Sequence, residues 1–349
     1  MSSFASKLLK GAGVVLGLLV VGGLSGSYFV GKKNAAYMAR TYDAHQVELA
    51  IPWPLSEAEV AALRAERAAP VDPAAPVDPA APVDPLEGVD LDAIAGERAV
   101  ARGEHLVESR FACIECHGDN FGGGTMIDDP AIGRVLGPNL TAGKGGVVAK
   151  YTPADWDRKV RHGINPGGKS GPMPSGDFVD MSDQELSDVV AYIQSMPPVD
   201  NVVPGLELGP LGAVLMAAGE IRYAADMIGP RQGDHLVLPP EPAPTAAFGK
   251  HLLIVCSGCH QATFTGGPVP GGPPDWLPAA NITPHADGLG AWTEVDFRKL
   301  MREGIKKDGT KAGVPMDMIA KYGQKMTDTE ITALWMALQA LPPLPDPKP

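Results

Sequence analysis

The chain has 349 residues, including 42 glycines, 35 prolines and only four cysteines, and its formal net charge at pH 7 is -12. At roughly 150 residues per domain, this length allows two folded domains. Four cysteines are too few for a disulfide-stabilised scaffold. The negative charge argues against nucleic-acid binding, because neutralising phosphates requires a basic surface.

The amino-terminal segment predicts a membrane anchor. Residues 11–30 carry no charge and are flanked on both sides by lysines. A helix of this length, rising about 1.5 Å per residue, would cover roughly 30 Å, the thickness of the hydrocarbon core of a bilayer. A cleaved signal peptide with a site near residues 25–27 is the alternative interpretation. We predict an N-terminal transmembrane helix within residues 1–33.

The next segment predicts a spacer. Residues 68–85 repeat the hexapeptide AAPVDP three times. Regular prolines remove backbone donors and fix φ, so this stretch favours an extended, polyproline-like chain. Residues 41–96 hold eleven acids and two bases, a composition that also favours a solvated chain. We predict an acidic, proline-rich spacer over residues 34–96.

All four cysteines lie in two C-x-x-C-H motifs. In this motif two thiols on one helical turn bind the vinyl groups of heme, and the following histidine ligates the iron. A four-thiolate zinc site would leave both histidines unexplained, and thioredoxin-like chemistry needs a βαβ pattern that is not evident. We therefore predict two covalently bound heme c groups. The attachment residues are Cys113, Cys116 and His117 in the first motif and Cys256, Cys259 and His260 in the second.

The sequence around the two motifs also repeats, which indicates a duplicated domain. The segment Asn139-Leu140-Thr141 after the first motif matches Asn281-Ile282-Thr283 after the second. Each copy then closes with a predicted helix that begins in a capping box, at Ser182 in the first copy and at Thr327 in the second. The predicted boundaries are residues 97–199 for the first unit, 200–244 for an interdomain helix and linker, and 245–349 for the second unit.

Spacing identifies the candidate sixth iron ligands. Met173 lies 56 residues after His117, and Met316 lies 56 residues after His260. Both methionines precede a closing helix, where a loop can cross the far side of a heme. Ligation by histidine and methionine raises the reduction potential of heme iron. Met318 and Met326 are close competitors of Met316 and remain alternatives.

The second unit resembles a known family. The segments that carry the resemblance are Asn281-Ile282-Thr283-Pro284, Gly288-Leu289-Gly290-Ala291-Trp292-Thr293, Phe297 and the proline-methionine loop at Met316. They are similar to the cytochrome c subunits of membrane-bound alcohol and gluconate dehydrogenases, and the similarity covers roughly residues 95–343. The resemblance implies an all-α fold of two tandem class I cytochrome c domains, placed behind the transmembrane helix and the spacer.

The resemblance also implies further site residues and a location. Heme c is attached on the outer face of the bacterial inner membrane, so the heme domains are expected in the periplasm, with the chain crossing the membrane once. The side chains that the resemblance places at the heme edge are Asn281, Thr283 and Trp292 in the second unit and Asn139, Thr141 and Tyr151 in the first.

These observations predict a membrane-tethered diheme cytochrome c. It would relay single electrons between respiratory or photosynthetic partners: a dehydrogenase, a quinol-oxidising complex, an oxidase or a reaction centre. No catalytic residue is predicted, because an electron carrier performs no substrate chemistry. One alternative is a diheme peroxidase, in which His105, His162 or His251 serves as another ligand or acid-base group. The other is a fixed cytochrome subunit of a dehydrogenase or terminal oxidase complex.

Overall fold

The computed structural model describes residues 26–43, 47–68, 84–229, 235–270, 272 and 276–347. Most of its regular structure is helical. The helices are α1 (residues 26–38), α2 (Glu57–Arg67), α3 (Leu91–Leu106), α4 (Ile114–His117), α5 (Pro153–His162), α6 (Asp183–Ser195), α7 (Pro210–Ala218), α8 (Ala224–Ile228), α9 (Ala246–Leu252), α10 (Ser257–His260), α11 (Glu294–Glu303), α12 (Met316–Lys325) and α13 (Asp328–Gln339). The strands are β1 (Gly124–Asp129), β2 (Gly133–Gly137) and β3 (Glu207–Leu208).

The prediction of an all-α fold is wrong, because the three strands form an antiparallel sheet in the order β1-β2-β3. Gly124 pairs with Gly137 at one end of the hairpin and Asp129 pairs with Gly133 at the other. The turn is local in origin: the Asp129 carboxylate accepts hydrogen bonds from the two backbone N–H groups that follow Pro130, each at 2.8 Å. β3 adds to β2 from the segment after the first unit.

Comparison of this segment with its equivalent in the second unit explains why the repeated sequence does not predict the sheet. Residues 261–280 contain five prolines. Proline has no N–H to donate to a strand ladder, so it disfavours pairing. Within the described part of this segment, pairing is limited to a bridge between Gly267 and Ala279.

The predicted transmembrane helix is also corrected. Residues 1–25, which hold most of the proposed span, lie outside the described residues. Throughout the described ranges, each helix is too short or too polar for a membrane span. α1 continues past Lys33, and the buried Asn34 donates a hydrogen bond of 2.9 Å to the Ala213 carbonyl of α7.

Each unit has its own hydrophobic core. The first core is built mainly by α3, α5 and α6, and the second by α9, α11 and α13. The first core includes Leu106, Val107, Phe111, Trp156, Leu186 and Val190, and the second includes Phe248, Leu252, Phe297, Ile331 and Leu334.

The opening and closing helices of each unit cross closely at a glycine. A Cβ atom at Gly103 in α3 would lie 2.0 Å from the Asp188 carbonyl oxygen of α6. At the matching position of the second unit, a Cβ atom at Gly249 in α9 would lie 1.8 Å from the Ala333 carbonyl oxygen of α13. Only glycine allows this approach of the two backbones.

Part of the segment predicted as spacer contacts the first core. Leu49 is buried in that core, and the Ser187 hydroxyl donates a hydrogen bond of 2.6 Å to the Ala50 carbonyl. The capping box of α2 is formed by Ser56 and Glu59. Residues 69–83, which hold nearly all of the AAPVDP repeats, lie outside the described residues.

Candidate heme-binding site

Each C-x-x-C-H motif forms a single helical turn, α4 in the first unit and α10 in the second. This turn brings the two thiols and the histidine of one motif to the same side of a short helix. All four cysteine side chains are partly buried. Burial raises the pKa of Cys113 and of Cys256 to about 12, which indicates apolar surroundings for both side chains. Such an environment suits thioether formation with a hydrophobic macrocycle.

The two motif histidines are oriented in the same way. His117 Nδ1 lies 3.0 Å from the Pro138 carbonyl oxygen, and His260 Nδ1 lies 2.7 Å from the Ala280 carbonyl oxygen. Donation from Nδ1 to a carbonyl fixes the tautomer that keeps Nε2 available to a metal. Burial lowers the pKa of both imidazoles, which also favours the neutral, ligating form.

The repeated Asn-x-Thr segments fix the loops that supply these carbonyl groups. Asn139 Oδ1 accepts from the Thr141 backbone and hydroxyl, while its Nδ2 donates to the Val199 carbonyl at 2.7 Å. In the second unit, Asn281 and Thr283 form the same bonds to each other. There Asn281 Nδ2 reaches the Leu344 carbonyl at 2.8 Å. These side chains therefore join the loop after each motif to the chain after each closing helix. That they line the heme edge stays a prediction.

Both predicted methionine ligands lie at the edges of the cores. Met173 packs against the first core and Met316 packs against the second. Of the two competitors, Met318 has 42% of its surface exposed, whereas Met326 is 6% exposed and belongs to the second core. Exposure therefore disfavours Met318, and the choice of Met316 stays a prediction.

The predicted aromatic residues lie in equivalent places. Tyr151 packs against the first core, with its ring centroid 5.4 Å from that of Trp156. Trp292 packs against the second core, which also contains Phe297.

Lys159 is a buried residue that the sequence pattern does not identify. Burial lowers the pKa of its amine to about 8. In the sequence, the indication of Lys159 is its position one turn before the end of α5, in a segment that is repeated between the units.

The two attachment motifs lie at the contact between the units. In the first motif, Glu115 accepts a hydrogen bond from Tyr322 and forms an ion pair with Lys321, both on α12. In the second motif, Gly258 lies against the Asp177 carboxylate, because a Cβ atom added at Gly258 would be 2.6 Å from Asp177 Oδ1. Asp177 follows Met173 closely in the chain. Each motif thus contacts the methionine-bearing segment of the other unit.

The histidines considered as peroxidase groups are engaged elsewhere. His105 lies against the Glu330 carboxylate and His251 against the Glu185 carboxylate, both across the contact between the units. His162 lies 3.2 Å from His235, measured between their Nε2 atoms. The structure therefore packs Cys113 and Met173 against the first core and Cys256 and Met316 against the second, and it engages His105, His162 and His251 elsewhere.

The donor set fits heme c. Each motif supplies two cysteine side chains and an imidazole with Nε2 directed to ligation, next to an apolar core with a methionine at its edge. Paired thiols beside an imidazole and a nearby methionine suit the thioether attachment and the iron ligation of c-type heme.

Comparison with known proteins supports the same assignment. Residues 98–193 match the family model described as cytochrome c oxidase, cbb3-type, subunit III. The cytochrome c subunit of the quinone-type alcohol dehydrogenase of Gluconacetobacter polyoxogenes is 28% identical over 264 residues, which cover 67% of this chain and 54% of the relative. The chain thus spans about half the length of that relative.

Two further relatives extend the comparison. The cytochrome c subunit of the gluconate 2-dehydrogenase of Pantoea cypripedii is 28% identical over 282 residues, covering 72% of this chain and 61% of the relative. A diheme cytochrome c-type protein of Cereibacter sphaeroides is 23% identical over 270 residues, covering 69% of this chain and 86% of the relative. The predicted resemblance is confirmed: residues 98–193 match a cytochrome c family model, and the chain is similar to cytochrome c subunits of bacterial alcohol and gluconate dehydrogenases.

Proposed function

We propose that this chain is a two-heme electron relay in which each unit holds one heme c and electrons pass between the units. The observation that carries the proposal is the reciprocal contact described above, in which each attachment motif lies against the methionine-bearing segment of the other unit. Val255, directly before the second motif, also packs against the first core. Because electron tunnelling falls steeply with distance, this placement favours exchange within one molecule.

The proposed ligands are the same in kind at both sites. His117 and Met173 would hold the first iron, and His260 and Met316 the second. Bound heme c would supply the one-electron chemistry, and these residues would set its potential through the identity of the iron ligands, the hydrogen bonds at Nδ1 and burial. With His and Met both bound, the iron would offer no open position to small molecules, as a carrier requires.

The relatives suggest the class of partner. Two of them are named as cytochrome c subunits of an alcohol dehydrogenase and of a gluconate dehydrogenase. We propose that this chain accepts electrons from a dehydrogenase on the periplasmic side of a bacterial membrane and passes them to a further redox protein. The heme-bearing units in this proposal are residues 97–199 and 245–349.

Heme stoichiometry tests the proposal. The full chain is produced in a host that attaches heme c, and its denatured mass and its pyridine hemochrome absorbance are measured. We expect two hemes in the parent and one in each of two double variants, C113S/C116S and C256S/C259S. As a control, H285Q, which alters a histidine outside both motifs, should retain two hemes. One heme per chain in the parent would overturn the proposal.

A further inference from the structure

Three side chains outside the heme-binding residues converge at the end of α5. Asp157 and His162 lie on its last turns, and His235 comes from the interdomain linker. The Nε2 atoms of the two histidines are 3.2 Å apart, and Asp157 Oδ1 lies 3.9 Å from His162 Nε2. One potential ligand atom from each residue falls within 4.8 Å of the others.

The separation of the two imidazoles is compatible with a shared metal ion as well as with a hydrogen bond between the rings. Zinc binds histidine nitrogen at about 2.0–2.1 Å, so two tetrahedral ligands are separated by about 3.3 Å. The two rings are therefore already positioned for a shared ion. A carboxylate as third ligand completes a histidine-rich set that suits zinc.

The surroundings of Asp157 favour a bound cation. This side chain is fully buried, and its Oδ1 accepts from Arg161 Nε at 2.6 Å. Among the described residues, Oδ2 is buried and has no hydrogen-bond partner. Arg161 also pairs with Asp183, so one guanidinium faces two carboxylates. The remaining negative charge can be balanced by a metal ion, while Arg161 holds the carboxylate in place, as outer partners of metal ligands commonly do.

The location of the cluster indicates a structural role. The residues after His235 contact the start of α6: the Leu236 carbonyl accepts from Asp183 N at 2.8 Å, and the Val237 carbonyl accepts from Gln184 N at 3.1 Å. An ion bound by His235 and α5 would therefore fasten the linker to the first unit at the point where the chain leaves for the second.

We propose that Asp157, His162 and His235 form a zinc site that fixes the interdomain linker to the first unit. The site is separate from the heme ligands, and its assignment does not depend on the number of hemes. Binding to the folded protein stabilises it against unfolding, and the linker becomes less mobile when all three ligands are engaged.

Metal analysis of the full-length heme protein tests this proposal. The protein is dialysed with zinc, then against metal-free buffer, and the retained zinc is measured by mass spectrometry. We expect one zinc per chain in the parent and none in H235Q, which alters the most accessible of the three ligands. The control H285Q changes a histidine that pairs with Asp287 in the second unit, and it should retain one zinc.

Thermal unfolding gives a second readout. Zinc should raise the unfolding temperature of the parent and of H285Q but not that of H235Q or H162Q, while heme absorbance stays the same in all four proteins. Failure of the parent to retain zinc would overturn the proposal. Equal retention by the parent and H235Q would also overturn it, because the ion would then be bound elsewhere.

Discussion

His105 Nε2 lies 3.0 Å from a carboxylate oxygen of Glu330, and this pair joins the opening helix of the first unit to the closing helix of the second. The contact occurs twice, because His251 Nε2 lies 2.9 Å from the Glu185 carboxylate. His251 is the sequence counterpart of His105, and Glu185 is the counterpart of Glu330. The same residues of the repeat therefore contact each other in both directions, as expected for two copies related by an approximate two-fold axis.

This relationship predicts a pH-dependent contact between the units. The hydrogen bond to Glu330 raises the pKa of His105 above 6.5. Burial opposes ionisation of Glu330, but hydrogen bonds from His105 and Thr327 lower its pKa below 4.5. The His105 contribution is complete below pH 6.5 and is lost as the pH rises through its folded pKa. The Glu330 contribution is complete above pH 4.5 and is lost as the pH falls through its folded pKa.

The pair of His105 and Glu330 should therefore stabilise the protein most between pH 4.5 and pH 6.5. We expect H105Q to have a lower free energy of unfolding than the parent at pH 5.5 and a similar one at pH 8.5. The loss at pH 5.5 should be less than about 1 kcal/mol, because His105 is partly exposed. Urea unfolding at the two pH values measures the difference, with H285Q as the control. Identical pH dependence of H105Q and the parent would contradict this interpretation.

The Glu185 pair should contribute more, because it is buried. Glu185 contacts His251 and also accepts from Arg110 at 2.7 Å, and both members of that ion pair have side chains only 4% exposed. Replacing Glu185 with Gln leaves the buried guanidinium without its counter-charge, which costs about 3–5 kcal/mol of unfolding free energy. The exposed pair of Arg64 and Asp84 is the control, and R64Q should cost less than about 1 kcal/mol. Equal losses in the two variants, measured by urea unfolding, would show that burial does not govern these pairs.

The helix crossings predict opposite effects for two glycine-to-alanine changes. G249A places a Cβ atom 1.8 Å from the Ala333 carbonyl oxygen, so α9 and α13 must separate, at a cost of about 1–3 kcal/mol or more. Gly96 lies inside α3 with no atom within 4 Å of the added Cβ. G96A should therefore stabilise the protein by roughly 0.5–1 kcal/mol, because alanine favours the helix. If the midpoint temperatures of thermal unfolding shift in the same direction in G249A and G96A, the close crossing of α9 and α13 at Gly249 is contradicted.

Ligand substitution tests Met316 against Met318, one of its two competitors in the second unit. Met316 packs against the second core, whereas Met318 is 42% exposed. We expect M316A and M173A each to lose half of the near-infrared sulfur-to-iron band of the ferric protein. M318A should keep the full band. If M318A has a reduced band and M316A keeps the parental band, then Met318 and not Met316 is the ligand.

The sequence predicted the local parts of the sites better than the fold around them. The motif at residues 113–117 and the capping box at Ser182 depend on neighbouring residues, so their spacing is informative. The sheet was missed because its hairpin is short and its third strand comes from beyond the first unit. The pairing of His105 with Glu330 joins residues 225 positions apart, and hydrophobic periodicity carries no information about such a contact.

Electron exchange between the two units is the central claim, and flash reduction tests it most directly. A photoreductant delivers less than one electron per protein, and absorbance changes are followed as the electron distributes between the hemes. The account predicts an equilibration phase whose rate does not change with protein concentration, because the attachment motifs contact the opposite unit within one molecule. A phase whose rate rises in proportion to protein concentration would contradict it, since exchange would then require collision between molecules.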